Sequence, residues 1–173
     1  MSYPVLFILG FLSGSLIKLT DDIEDRDLAS KQYAVPCGLA YGLLMGYLML
    51  IDTDAALLFG GIIIGNLVTG KIDSTGHYFG LGAILAVLFL YGVKLSPLVL
   101  PIAALAALDE LRGIIRVPRS LDFIFGYRLI LKLGILMLVV LQIVGLNALI
   151  ILLAFDTAYM LTDGLTRRFS HDV

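Results

Sequence analysis

Seven apolar stretches, approximately 3–20, 33–51, 55–71, 78–93, 95–108, 128–145 and 147–163, follow one another along the chain with brief polar breaks between them. A helix needs roughly 17 to 25 mostly apolar residues to cross a bilayer, so each stretch reads as a candidate span. The breaks "DTD" at 52–54, "KLS" at 94–96 and "GLN" at 145–147 leave room only for tight turns between antiparallel neighbours. The pattern predicts an all-α integral membrane protein, a single polytopic bundle of about seven transmembrane helices with no soluble domain.

Composition sharpens this. The 173 residues are 60% hydrophobic and only 15% charged, with a mean hydropathy of +1.00, whereas a soluble domain is ~25% charged. The lipid bilayer is thus the first partner. A net charge of -2 excludes the clustered basic face that nucleic-acid binding requires. The opening "MSYPVLFILGFLSG" has neither a basic leader nor a small-residue cleavage site, so it is expected to be a retained first span. The single cysteine, Cys37, has no disulfide or metal-ligand partner and is expected to be a small buried hydrophobe.

Lysine and arginine bias the loops that carry them toward the cytoplasm. Lys18, Arg26 and Lys31 flank the first loop, Lys71 the third, and Arg112, Arg116, Arg119 and Arg128 the fifth; Arg167 and Arg168 lie in the tail. The even-numbered loops hold only Lys94. A seven-span chain with its N-terminus outside and its C-terminus cytoplasmic satisfies this distribution.

Glycines recur at fourfold spacing, at Gly10 and Gly14, at Gly38, Gly42 and Gly46, and at Gly61 and Gly65. Such spacing lets helix backbones approach closely. Pro101 interrupts the fifth stretch and is expected to kink it, and "RGIIRVPRSLDFIFGY" at 112–127 reads as an interfacial or partly re-entrant segment.

The acids are not spread evenly. Asp21, Asp22, Glu24, Asp25 and Asp27 crowd directly behind the first apolar stretch, and Asp22, Asp73, Asp109 and Asp163 fall at or just beyond the ends of spans one, three, five and seven. Helix C-termini disfavour aspartate by ~0.3–1 kcal/mol, so stability does not by itself account for four of them. Three stripes at i, i+3, i+7 spacing, Ser15/Lys18/Asp22, Asn66/Thr69/Asp73 and Asp156/Tyr159/Asp163, should face protein and not lipid. Asp156, inside a span, would cost at least ~2.5–3.5 kcal/mol if left unpaired, which marks it as a cavity-lining residue. The alternative for Asp156 is a structural hydrogen bond to Gln142, Asn147 or Tyr159. His77 and Tyr78 beside "KIDSTG" are equally compatible with a site and with solvation, and His171 is expected to be uninvolved.

Carboxylates this dense repel one another unless a cation sits among them. Oxygen-rich, sulfur-poor clusters suit Mg²⁺, which is commonly held by one or two carboxylates together with substrate phosphates. Lys18, Arg26, Lys31, Lys71, Arg112 and Arg116 stand beside the acids and could hold those phosphates. The combination reads as a cation-plus-polyphosphate site.

"DDIED" at 21–25 matches DDxxD, and its place behind a membrane helix resembles the first aspartate-rich motif, (N/D)DxxDxxxD, of the UbiA family of intramembrane prenyltransferases. Asp21, Asp22 and Asp25 take its first three positions; Ala29 takes the last, with Asp27 two places early. The following "KQYAVPCG" is loosely similar to the basic, proline and glycine pattern after the family motif. The family's second motif is DxxxD; "DELRG" at 109–113 offers Asp109 and Glu110 only, and "DSTGH" at 73–77 ends in histidine.

The resemblance implies a Mg²⁺-dependent enzyme acting on a polyprenyl diphosphate. Asp21, Asp22 and Asp25 would hold one ion, with Asp73 or Asp109 and Glu110 serving a second. Arg112 and Arg116 would steady the diphosphate, Asn66 and Asp163 would line its site, and Asp156 or Tyr159 would act on the acceptor. Two other classes stay open. A small divalent-cation or proton transporter would use Asp156, Asn66 and Gln142 as its path, and a non-catalytic accessory subunit would use the acidic loop to bind a basic partner. The outer halves of the spans are nearly all apolar, which favours a site open to one side only.

Overall fold

The computed structural model describes residues 2–26, 28–93, 96–110, 123 and 127–171, the side chains of 169–171 excepted. Among these residues there are seven α-helices, one short 3₁₀ helix at Lys31–Tyr33 and no strand. The helices are α1 (Tyr3–Asp25), α2 (Ala34–Ile51), α3 (Thr53–Val68), α4 (Thr75–Tyr91), α5 (Val99–Asp109), α6 (Leu129–Val140) and α7 (Leu146–His171). Three stretches are long and apolar enough to cross a membrane: Tyr3–Asp25, Lys31–Ile51 and Leu146–Arg168. The other four helices are apolar but shorter. At a rise of 1.5 Å per residue, the 11 residues of α5 cover about 16 Å, roughly half of a ~30 Å hydrocarbon core.

The boundaries depart from the hydropathy pattern where polar residues find partners. α1 continues past Thr20 to Asp25, so Asp21, Asp22, Glu24 and Asp25 sit on helical turns and not in a loop. α7 likewise runs beyond 163, keeping Asp163 and Thr166 helical. Pro101 lies in the first turn of α5, where its missing N–H has no intrahelical partner to lose, and α5 continues through it as one helix. Cys37 is half-buried, not sealed in the core. The proposed interfacial segment 112–127 lies outside the described residues apart from Phe123 and Tyr127.

The glycine stripes define the architecture. A Cβ on Gly10 would meet Ile151 and one on Gly14 would meet the Phe155 backbone, joining α1 to α7. Gly38, Gly42 and Gly46 of α2 lie against Gly76, Gly80 and Val87 of α4, and Gly61 and Gly65 of α3 against Ile102 and Ala106 of α5. In each pair both residue numbers rise together, so α1 and α7, α2 and α4, and α3 and α5 run parallel. Parallel neighbours with short connections require an antiparallel helix between them in sequence. Helices α1, α3, α5 and α7 therefore run one way and α2, α4 and α6 the other.

The core fills the space between these pairs. Phe59 of α3 is fully buried and meets Phe155 of α7 edge-on, with ring centroids 5.8 Å apart, and Leu48, Leu58, Ile102, Ile135 and Ile151 surround them. At the end where the chain enters α1, polar groups are absorbed by caps. Asp52 accepts from the Ala55 N–H at 2.9 Å and from Asn147 Nδ2 at 2.7 Å, and Asp54 accepts from the Gly145 N–H at 3.0 Å. The opposite end carries the acids and the cavity.

Candidate functional site

Two polar assemblies form where α1, α3, α5 and α7 end, and the acids of "DDIED" divide between them. The first is a closed ion cluster joining α1 to α7. Asp22, 1% exposed, meets Lys18 Nζ at 2.9 Å and Arg26 Nη1 at 3.0 Å and accepts from Thr166 Oγ1 at 2.6 Å. Asp163 meets Lys18 at 2.9 Å, Arg26 at 3.0 Å and Arg167 at 2.8 Å. Lys18 and Arg26 each bridge both carboxylates, so Lys18, Asp22, Arg26 and Asp163 act here as a clamp between two helices. The stripes of Lys18 and Asp163 face protein, and the two side chains meet at 2.9 Å. Stability accounts for these two aspartates after all.

The second assembly lines a cavity of about 290 Å³ bounded by α1, α2, α3, α4 and α7 and by the starts and ends of neighbouring turns. Its floor is apolar, with Ile17, Met45, Ile62, Leu81, Ile84 and Phe155. Its mouth gathers Asp21, Glu24, Asp25, Asp73 and Glu110 with Lys71, Arg128, His77, Asn66, Ser74 and Tyr159. Five carboxylates thus face two permanent cations among the described lining residues.

Each polar side chain is placed by a local feature. Gly70, at φ 68°, ends α3 in a left-handed turn, with Gly70 N–H donating to Leu67 O and Lys71 N–H to Asn66 O. That turn delivers Lys71 and Asp73 to the mouth. Glu24 of α1 accepts from the Gly76 N–H at 2.8 Å and so supplies the cap that Ser74 does not; Ser74 Oγ is buried without a partner among the described residues. Asp109 accepts from the Ile130 and Leu131 N–H groups at 3.1 and 2.7 Å, an N-terminal cap for α6 supplied from α5. Its carboxylate is thereby committed to holding the α5–α6 junction.

Asp21 is engaged on both oxygens. His77 Nε2 lies 2.6 Å from Oδ1 and the Tyr159 hydroxyl donates to Oδ2 at 2.6 Å. Tyr41 completes the chain, its hydroxyl 2.9 Å from His77 Nδ1. Three helices meet at this carboxylate and a fourth, α2, joins through His77; of the pair His77/Tyr78 only His77 belongs to the site, since Tyr78 is exposed. Asp25 and Asp73 differ: neither makes a side-chain hydrogen bond or an ion pair among the described residues. Glu110 meets Arg128 at 2.9 Å and Lys71 at 3.6 Å, and the Arg128 guanidinium sits 5.0 Å from the Tyr159 ring centroid.

Asp156 pairs with Lys132 of α6, which also donates to Tyr127 O. It faces a small void of about 20 Å³ shared with Asn66, Asp109, Glu110 and Arg128, so it stands behind the main cavity and not in it. Its partner is neither Gln142, Asn147 nor Tyr159. Lys31 opens the 3₁₀ turn and is exposed, and it is not among the described residues that line the cavity. Arg112 and Arg116 lie outside the described residues.

Arg128, Tyr41, Glu24 and Ser74 carry no site assignment in the sequence, and His77 is equally compatible there with a site and with solvation. Arg128 and His77 carried a signal, a basic residue heading an apolar run and a histidine beside an acidic turn; Tyr41 lay unmarked inside an apolar stretch. Among the described residues no group of three His, Cys, Asp or Glu side chains is assembled to hold a metal by itself. The donor chemistry fits a hard ion that completes its shell with ligand phosphates, because Asp25 and Asp73 are carboxylates with no hydrogen bond or ion pair among the described residues. No family model matches the chain, and neither a curated protein nor a solved structure does.

Proposed function

We propose that the cavity is a Mg²⁺-dependent site for a polyprenyl diphosphate and that the protein is an intramembrane prenyltransferase. The observation that carries this reading is the layering of one cavity: an apolar floor under a mouth that Asp25 and Asp73, without ion pairs among the described residues, line together with Lys71 and Arg128. An amphiphile with an anionic head and an isoprenoid tail matches both layers. The resemblance of "DDIED" to the UbiA motif supports the same substrate class.

The residues divide the work as follows. Asp25 and Asp73 hold the ion, Lys71 and Arg128 neutralise the phosphates, and Tyr159 and Asn66 line the approach of the acceptor. Asp21 keeps His77, Tyr41 and Tyr159 in place. Mg²⁺ supplies charge stabilisation for the departing diphosphate. All seven helices are taken to lie within the membrane, with the N-terminus outside and the C-terminus cytoplasmic, so that the mouth opens to the cytoplasm. The parallel pairing of odd-numbered helices and the lysine and arginine distribution support that orientation.

Detergent-solubilised protein given a polyprenyl diphosphate, Mg²⁺ and a membrane extract as acceptor source should release inorganic diphosphate. Asp25→Asn or Asp73→Asn should reduce release by about 100-fold or more, in line with losing a group that stabilises transition-state charge. Release unaffected by either substitution or by a chelator would remove the metal-dependent mechanism.

A further inference from the structure

Glu110 takes both cations of the mouth on its two oxygens. Arg128 Nη2 lies 2.9 Å from Oε1 and Lys71 Nζ 3.6 Å from Oε2. The two cations come from separate connections, Lys71 from the α3–α4 turn and Arg128 from the entry to α6. Guanidinium and ammonium groups converging on two oxygens are equally suited to a phosphate, which presents the same acceptors with more charge.

The backbone at Arg128 bears on why they converge. It is left-handed, φ 50° and ψ 46°, a conformation that non-glycine residues adopt sparingly and that is retained where the surrounding structure demands it. The strained turn aims the guanidinium into the cavity, over the Tyr159 ring. Glu110 follows the C-terminus of α5, where the helix dipole disfavours a carboxylate. The Lys71 contact is long, and its side chain is 44% exposed.

We propose that Lys71 and Arg128 form the phosphate subsite of the cavity and that Glu110 occupies it in the empty protein, to be displaced by the diphosphate. The proposal rests on the reading of the cavity as a diphosphate site. It changes the role of Glu110 from metal ligand to internal competitor. Removing its charge should therefore strengthen binding of the anion in the absence of metal, without weakening the Mg²⁺-dependent binding that the loss of a metal ligand would impair.

The test is calorimetric titration and thermal unfolding of the full chain in detergent, first with inorganic diphosphate without metal, then with a non-hydrolysable geranylgeranyl diphosphate analogue and Mg²⁺. Glu110→Gln is expected to unfold at a lower temperature than wild type when empty, to bind inorganic diphosphate at least tenfold more tightly, and to recover more stability from it. Arg128→Gln and Lys71→Gln should each weaken that binding at least tenfold. Glu110→Gln binding inorganic diphosphate no more tightly than wild type overturns the proposal. Should Glu110→Gln not fold, undiminished binding in Arg128→Gln and Lys71→Gln overturns it equally. Tightening in Glu110→Gln with no gain from Mg²⁺ and the prenyl analogue in any variant leaves the subsite standing and removes the metal-dependent prenyl reading. A Mg²⁺-dependent gain that is lost in Asp25→Asn, without tightening in Glu110→Gln, does the reverse.

Discussion

Replacing Asp22 with alanine is expected to cost about 3–5 kcal/mol, lowering the unfolding temperature by about 6–20 °C for a chain of this size. The reason is that Lys18 and Arg26 both rest on the Asp22 carboxylate, which is 1% exposed. Alanine leaves two cations held by Asp163 alone and removes the shortest hydrogen bond of the Thr166 hydroxyl, which falls back on the Thr162 and Asp163 carbonyls. Asp25→Asn, three residues away on the same helix, should change the unfolding temperature of the empty protein very little, because Asp25 is exposed and makes no ion pair among the described residues. Thermal unfolding of the two variants side by side checks the division of labour within "DDIED". Equal losses would mean that both acids belong to one assembly.

The second large effect concerns the buried pair between α6 and α7. Asp156→Leu should also cost about 3–5 kcal/mol, since Lys132, whose side chain is only 19% exposed, would be left without its counter-ion. The double variant Lys132→Met/Asp156→Leu should recover most of that loss, because replacing a whole buried pair by apolar groups of similar volume is often neutral or stabilising. Unfolding temperatures of both single variants and the double one close the cycle. Losses that simply add would show that the two residues do not interact. Because Asp156 stands behind the main cavity, the double variant should still bind the prenyl analogue.

What the sequence made legible follows from the range of each signal. A glycine stripe has one consequence, a close neighbour backbone, and Gly10, Gly38 and Gly61 report it without knowledge of the partner. The helical spacing of Lys18 and Asp22 likewise exposed one face of α1. The partners themselves were out of reach: Asp21 and Tyr159 are 138 positions apart, and Asp22 and Thr166 are 144 apart. Acids at helix ends therefore read as one population when they are three. Asp109 caps a helix, Asp22 and Asp163 close an ion cluster, and Asp25 and Asp73 face the cavity without a hydrogen bond or ion pair among the described residues.

The helix ends failed for a related reason. Hydropathy ends the first apolar stretch at residue 20, whereas α1 runs on to Asp25, with Asp22 paired to Lys18 and Arg26 of the same helix and Asp163 of α7 bridging both cations. Arg128 was visible as a basic residue and useful for orientation. Its left-handed backbone, which turns the side chain into the mouth, leaves no trace in residue type.

The central claim is that Asp25 and Asp73 bind a divalent ion together with a prenyl diphosphate. The most direct test is the unfolding temperature of the purified protein with Mg²⁺ and a non-hydrolysable geranylgeranyl diphosphate analogue, added separately and together, in wild type and Asp25→Asn. A ligand pair at a hundred times its dissociation constant adds about 2.7 kcal/mol, or about 5–10 °C. The account predicts a rise of that size in wild type only when both are present, and none in Asp25→Asn. A rise with Mg²⁺ alone, or an equal rise in Asp25→Asn, would contradict it.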